Sequence, residues 1–480
     1  GPRADITLTT HVDMSAAHKT TAKTTVPLGL CAALRERGLN VRPFQKGPEY
    51  IDPMWLGRAS GQTCHNLDFY TMQRDEIRDT VGHYAQGADI SIIEGNKGLY
   101  DGLDLDGSNS NAALAKLLGA PVVLVLDARG MTRGIAPLIL GYQAFDPDIR
   151  ISGVVLNQLG GSRHESKLRA VIEHYTDVQV IGAVARDSSM EILERHLGLI
   201  PSNEQDTAER RIHEIGQRIS EQIDLDALIQ IAAENDVPPA PAQSPCHITT
   251  LDQPLRIGIA RDEAFGFYYP GDLEAMTQAG ATLVDIDTLR DTGLPDIDGL
   301  FIGGGFPESC MQQLQDNHKL RAAIKAAIEA GLPTYAECGG LMYLSRSLKW
   351  KGTRCEMVGV VPGDTVMHER PQGRGYVRLN ATPEHPWGNI AADATISAHE
   401  FHYSALEKLE QPDHYAFRVL RGTGIDGNHD GYIYKNLMAC YTHQRTTRSN
   451  RWTEDFLRFV ATCKGRQDAG SFYTQTTQQG

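Results

Sequence analysis

The sequence predicts an α/β protein of two units. Short apolar runs alternate with amphipathic stretches over residues 1–235, a proline-rich stretch follows, and a second alternation begins at Leu255. Short buried runs separated by helical stretches are the pattern of parallel strands joined by crossover helices, with both sheet faces covered.

In the first unit, residues 1–235, the clearest strands are Ile90–Ile93, Val122–Leu126 and Val154–Leu156. The run LGLCAALRERG after Thr25 reads as an amphipathic helix stopped by Gly38, with Pro27 tolerated only because it lies near the start. Asn111–Leu118 reads as a second helix. Ile212, Ile215, Ile219, Ile223 and Leu225 follow helical spacing and close the unit. Residues 236–254 carry five prolines in a polar context and read as an extended linker. In the second unit, residues 255–465, strands are expected at Leu255–Ala260, Ala281–Ile286, Gly299–Ile302 and Leu332–Ala336, with shorter strands and turns after about 355. The polar end, 466–480, is expected to be disordered.

Composition narrows the function. The 480 residues are 41% hydrophobic and 22% charged, which excludes global disorder. Lys+Arg 46 against Asp+Glu 60 gives a net charge of -14, so nucleic acid is not an expected partner. No apolar run reaches the roughly 18 residues of a membrane span, so no membrane is expected either. Eight scattered cysteines without a CxxC fit a reduced, cytoplasmic protein.

Two stretches carry chemistry. The first, from Ala17 to Thr25, matches G-x-x-x-x-G-K-[ST] with alanine at both glycine positions. Lys23 and Thr24 are in place for the phosphates and Mg²⁺, but Ala22 puts a Cβ where backbone N–H groups approach phosphate. Asp52 in GPEYIDP, and Glu94 at the end of a strand, are acids at the edge where ligands of parallel sheets bind. Together these point to a nucleotide and a metal. A Lys/Thr-rich surface turn is the plain alternative.

The second stretch is Thr334–Leu344, TYAECGGLMYL. A cysteine between a strand and a helix, followed by two glycines, has the logic of a nucleophile elbow. A helix N-terminus beside the thiol should favour the thiolate. Gly303-Gly304-Gly305 after another strand could present N–H groups to an oxyanion. The base must be a histidine, and His368, His399, His402 and His443 are candidates.

Taken together, KTTAKTT (19–25), KGPEYIDP (46–53), NLDFY (66–70), EGNKGLYDG (94–102), GGGFPE (303–308), YAECGGLMYL (335–344), HEFHYS (399–404) and CYTHQ (440–444) resemble the cobyrinic acid a,c-diamide synthase family of glutamine-dependent tetrapyrrole amidases, over about 12–460. The resemblance implies a P-loop domain of the dethiobiotin-synthetase type followed by a class I glutamine amidotransferase domain. It implies ATP and Mg²⁺ as cofactors, glutamine as nitrogen donor and a tetrapyrrole polycarboxylate, cobyrinate or siroheme, as substrate. A homodimer is one assembly to expect.

Residue by residue, it implies that Cys338 attacks glutamine and His443 is its base, with Gly304, Gly305 and Gly339 at the oxyanion. Arg445 stands two residues beyond His443, so a Cys–His pair is expected rather than a triad. Lys19, Ala22, Lys23, Thr24 and Thr25 would line the phosphates, Asn157 would face the base, and Thr24, Asp52 and Glu94 would hold Mg²⁺. Glu49 stands where the family has aspartate. Cobyrinate, siroheme and nickel-sirohydrochlorin amidation are the open readings, with residues 94–122 leaning to siroheme. A non-catalytic tetrapyrrole- or nucleotide-binding relative is the reading from another class, motivated by Ala22.

Overall fold

A computed structural model describes residues 5–11, 25–188, 205–234, 245–388, 390–391 and 393–478. The chain forms two compact units, Gly1–Pro245 and Cys246–Gly480.

The first unit runs β1 (Asp5–His11), α1 (Thr25–Glu36), β2 (Val41–Lys46), α2 (Ile51–Ser60), β3 (His65–Leu67), α3 (Arg74–Tyr84), β4 (Ile90–Glu94) and α4 (Asn111–Leu118). It continues with β5 (Val122–Asp127), α5 (Ile135–Phe145), β6 (Ile151–Leu159), α6 (Ser162–Tyr175), β7 (Val180–Ala185), α7 (Gln205–Gln222) and α8 (Leu225–Ala232). All seven strands are parallel, in the order β3-β2-β4-β1-β5-β6-β7. The first strand in the chain therefore sits mid-sheet, which makes its carboxyl end a topological switch point.

One sheet face is covered by α1, α2, α7 and α8 through residues such as Leu34, Trp55, Ile215 and Leu228. The other is covered by α3 to α6. Helices α1 and α7 approach closely because each carries a glycine at the crossing. A Cβ on Gly29 would stand 2.2 Å from Ile219, and one on Gly216 would stand 2.9 Å from Ala32. Pro27 lies in the first turn of α1, where its missing N–H costs nothing.

The second unit opens with β8 (Leu255–Ala260), β9 (Phe265–Phe267), α9 (Pro270–Gln278), β10 (Ala281–Ile286), β11 (Gly299–Ile302), β12 (Gly304–Gly305), α10 (Met311–Asp316), α11 (His318–Glu329), β13 (Thr334–Glu337) and α12 (Gly339–Leu344). The later strands are β14 (Ser345–Trp350), β15 (Thr353–Glu356), β16 (Val361–Met367), β17 (Gly373–Ala381), β18 (Thr395–His402), β19 (Ser404–Glu407), β20 (Tyr415–Arg421), β21 (His429–Tyr434) and β22 (Leu437–Cys440), before α13 (Trp452–Gln478).

Its main sheet has the order β10-β8-β11-β13-β22-β21-β20-β17-β18. The first five strands are parallel and the rest antiparallel. Smaller sheets are β15-β14-β16-β19 and β12-β9.

Two expectations need correction. Only the front of the 236–254 stretch is outside the described residues at 235–244; its end belongs to the second unit, where Ile248 and Leu251 pack on the core and Leu251 N–H bonds to Ala279 O (2.8 Å). Two apolar side chains within reach of a core outweigh the local proline signal. The tail expected to be disordered from 466 instead prolongs α13 to Gln478. That helix is nucleated by Trp452, Phe456, Leu457 and Val460 in the core, and no proline follows to stop it.

Candidate active sites

Cys338 occupies the turn between β13 and α12 at φ 48° and ψ −100°. A non-glycine residue in such a region costs about 1–3 kcal/mol and needs firm surroundings. Cys338 N–H donates to Cys440 O (2.8 Å), and Met342 N–H donates to Cys338 O (3.0 Å). A Cβ on Gly340 would stand 2.2 Å from Ile302 O, and one on Gly339 3.0 Å from Gly305 N. The two glycines thus let α12 settle onto the end of β11 and the Gly304–Gly305 strand. Gly304, Gly305 and Gly339 are brought together around the thiol.

Among the candidate histidines, His443 is the one at this loop: a Cβ on Gly304 would lie 2.9 Å from its Cε1. His443 and His399 exchange backbone hydrogen bonds (2.7 and 3.2 Å), and their rings stack at 5.0 Å. His399 Nδ1 meets the Tyr269 hydroxyl (3.2 Å). His402 is held between Ser404 O (2.9 Å) and Glu400 (3.3 Å), and stacks on Tyr441. His368 pairs with Glu407 on a more exposed edge.

The charge state differs from expectation. A helix N-terminus was expected to favour the thiolate, but α12 has six residues and the site is closed from water. Burial pushes the Cys338 thiol up, with Glu308, Glu337 and Glu400 adding to it and the Gly339 N–H opposing. Burial lowers His443 to about 3, with His402 adding and Glu400 opposing. The resting pair is a neutral thiol and a neutral imidazole. Arg445 does stand two residues beyond His443, and an acid from another strand lies beside the ring: Glu337 Oε1 is 3.5 Å from His443 Nδ1.

The second constellation lies at the carboxyl edge of the first sheet. Glu94 ends β4, opposite Gln45 of β2 and Leu8 of β1, and is 3% exposed. Gln45 Nε2 donates to Glu49 Oε2 (3.3 Å) and Asp52 Oδ2 (3.4 Å), so one amide gathers both acids beside the Glu94 strand. Asn66 Nδ2 pins the loop between them by donating to Gly47 O (2.9 Å) and Glu49 O (2.8 Å).

Lys46 was not singled out in the sequence. It is buried at the end of β2, donates to Asn96 Oδ1 (3.2 Å), and burial lowers it to about 8, with Asp68 opposing and Lys97 adding. Its signal was available: a lysine that ends a strand just before Gly-Pro.

Lys19, Ala22, Lys23 and Thr24 lie outside the described residues. Thr25 opens α1, buried, with no hydrogen-bond partner for its hydroxyl among the described residues. Asn157 of β6 faces Asp127 of β5, and its Oδ1 accepts from Gln158 N–H (3.0 Å). Gln158 has φ 62° where the β6–β7 register shifts. Among the described residues no three His, Cys, Asp or Glu side chains are grouped to hold a metal. The two carboxylates and the hydroxyl at the head of α1 are oxygen donors at a switch-point edge, which suits a nucleotide with Mg²⁺. No described helix is long and apolar enough to cross a membrane.

Comparison with known proteins bears on both units. The family described as a CobB/CobQ-like glutamine amidotransferase domain matches residues 256–451, and an AAA domain matches 19–191. A cobyrinate a,c-diamide synthase of Magnetococcus marinus is 44% identical over 452 residues, covering 93% of this chain and 96% of that one. Those of Methanosarcina acetivorans and Archaeoglobus fulgidus are 41% and 39% identical, covering 90% and 88% of this chain and 91% of each relative. The chain belongs to the cobyrinate a,c-diamide synthase family, as a nucleotide-binding, glutamine-dependent amidotransferase ligase.

Proposed function

We propose that this protein uses ATP and glutamine to convert the a and c acetate carboxylates of cobyrinate into amides. The observation that carries the reading is the elbow: Cys338, His443 and three glycines gathered in one buried turn of a chain whose other unit presents Glu94, Asp52 and Lys46 at a switch-point edge. The relatives' names favour cobyrinate over the siroheme lean of residues 94–122.

Cys338 attacks the glutamine carboxamide. The N–H groups of Gly304, Gly305 and Gly339 take the oxyanion, and His443 moves the proton. In the first unit Lys19, Ala22, Lys23, Thr24 and Thr25 hold the phosphates and Asn157 faces the base. Thr24, Asp52 and Glu94 would hold Mg²⁺, which would supply neutralising charge where a γ-phosphoryl group meets a carboxylate. Lys46 balances the carboxylate's charge while it becomes an acyl phosphate, and ammonia then displaces phosphate. Eight scattered cysteines without a CxxC fit a cytoplasmic enzyme. A homodimer is the assembly we expect in sedimentation.

The test is mass spectrometry of cobyrinate, siroheme and nickel-sirohydrochlorin after incubation with Mg-ATP and glutamine. Each amidation exchanges a hydroxyl for an amino group. Two exchanges on cobyrinate support the reading. Exchange on siroheme alone overturns the substrate, and Mg-ATP-independent tetrapyrrole binding without exchange supports the non-catalytic alternative.

A further inference from the structure

A cysteine–histidine pair needs a group that fixes the imidazole tautomer, because only the ring nitrogen facing the thiol can take its proton. Here that group comes from the residue before the nucleophile. Glu337 ends β13, and β13 pairs in parallel with β22, whose continuation carries His443. Its Oε2 accepts from the Tyr335 hydroxyl (2.6 Å) and from Gln444 N–H (2.8 Å). Its Oε1 is left 3.5 Å from His443 Nδ1, and both side chains are at most 3% exposed.

We propose that Glu337 is a positioning residue of the glutaminase reaction: its carboxylate holds the Nδ1–H of His443, which makes Nε2 the unprotonated nitrogen that takes the Cys338 proton. The inference rests on the assignment of Cys338 and His443 above.

The anchoring carries it. Two donors fix Oε2, so the carboxylate cannot swing from the ring, and Oε1 has one imidazole in front of it. The neighbouring acids are spent elsewhere. Glu400 accepts from Thr423 N–H, Gly424 N–H and His402, and Asp430 accepts from Tyr441 N–H and from the N–H and hydroxyl of Thr442. The 3.5 Å gap is long for a hydrogen bond, but such contacts tighten when substrate arrives.

In the reaction, Sγ bonds to the carboxamide carbon as its proton passes to Nε2. Nε2 returns that proton to the nitrogen, the C–N bond breaks, and ammonia leaves a thioester. Water then attacks the thioester, and its proton passes through Nε2 to Sγ as glutamate departs. Glu337 stays ionised throughout and stabilises the imidazolium.

The pair also sets a pH dependence. Burial raises the Glu337 carboxyl to about 8, with the bonds from Tyr335 and Gln444 opposing. Below that pH its O–H donates to Nδ1 and the ring proton sits on Nε2, the unproductive arrangement. Glutamine-dependent kcat therefore rises as pH passes upward through the carboxyl's pKa. Facing Glu337 are Tyr335, Cys338, Cys440, Tyr268 and Asp272; facing His443 are His399, His402 and Glu400. Of these Asp272 is also raised to about 8, by burial, so Asp272→Asn is the control for the profile.

The experiment uses the full chain, with glutamine hydrolysis and ammonium-driven amidation assayed side by side. Glu337→Gln keeps an acceptor for Tyr335 and Gln444 but turns an N–H toward Nδ1. We expect its kcat for glutamine to fall by about 100-fold or more, its glutamine KM to change by less than about threefold, the pH rise to vanish, and ammonium-driven amidation to persist. Glu337→Asp should recover part of kcat. A Glu337→Gln enzyme with wild-type kcat, or Asp272→Asn abolishing the pH rise while Glu337→Gln keeps it, overturns the proposal. Should Glu337→Gln lose ammonium-driven amidation through misfolding, Tyr335→Phe decides. It removes one donor, so the rise should move to higher pH, and an unmoved rise overturns the proposal. Cys338→Ser retaining glutamine hydrolysis would instead overturn the underlying site.

Discussion

Glu94 and Asp52 share an edge but not a setting. Glu94 is enclosed between β2 and β1, whereas Asp52 opens α2 half-exposed and is gathered by Gln45. On the proposed assignment of Glu94 to Mg²⁺, Glu94→Gln should lower synthesis from glutamine and from ammonia alike by about 100-fold or more while glutamine hydrolysis at Cys338 continues. Asp52→Asn should do the same less severely, and titrating Mg²⁺ should show its loss as a raised metal requirement. Near-normal ammonia-driven synthesis at limiting Mg²⁺ in either variant would remove that residue from the metal site. Ala22→Gly should lower the ATP KM, since it restores a Cβ-free approach to phosphate. An unchanged KM would mean the alanine loop already reaches its working geometry.

At this scale residue type was legible where chemistry needs one kind of side chain: a cysteine before Gly-Gly, acids ending strands. Glu337 and Lys46 stand inside quoted motifs, but a motif does not say what its side chains face. Their environments come from pairing β13 with a strand 100 residues on, and β2 with β4.

Elements were read most reliably where a short apolar run is bounded by turn residues. The strands Leu255–Ala260, Ala281–Ile286 and Gly299–Ile302, and the helix Asn111–Leu118, begin and end where the apolar pattern places them. The antiparallel strands after 355 have one partly exposed face and mixed composition, so shorter strands and turns are legible there without a register. The elbow's closeness is a property of the element pair β11–α12, and it makes a prediction. Gly340→Ala forces a Cβ into the Ile302 carbonyl and should cost about 1–3 kcal/mol or more. Gly271→Ala meets nothing within 4 Å in α9 and should be neutral or stabilise by up to about 1 kcal/mol. Urea denaturation of the two variants checks both, and equal stability would contradict the packing of α12 on β11.

For the whole molecule, two units with separate cores imply two separable activities. Cys338→Ser should abolish amidation from glutamine, leaving amidation from high ammonium intact. Loss of both in a folded variant would contradict the division of labour. The two-unit plan was visible in the sequence because the prolines between 238 and 254 interrupt two independent alternations. The place of the boundary was less so, since Ile248 and Leu251 look like linker until the core they join is known.

The hydrogen bond from Cys338 to Cys440 has a consequence for the protein as it is made. The strand bearing the nucleophile lies between β11, already synthesised, and β22, which leaves the ribosome about a hundred residues later. Contacts of such sequence separation form late. A nascent or prematurely terminated chain ending before residue 437 has the thiol but neither the carbonyl that holds its turn nor His443, the base proposed for it. On the proposed assignment, fragments released by abortive translation cannot hydrolyse glutamine, and hydrolysis begins only in a chain whose first unit, ending at Pro245, was completed earlier.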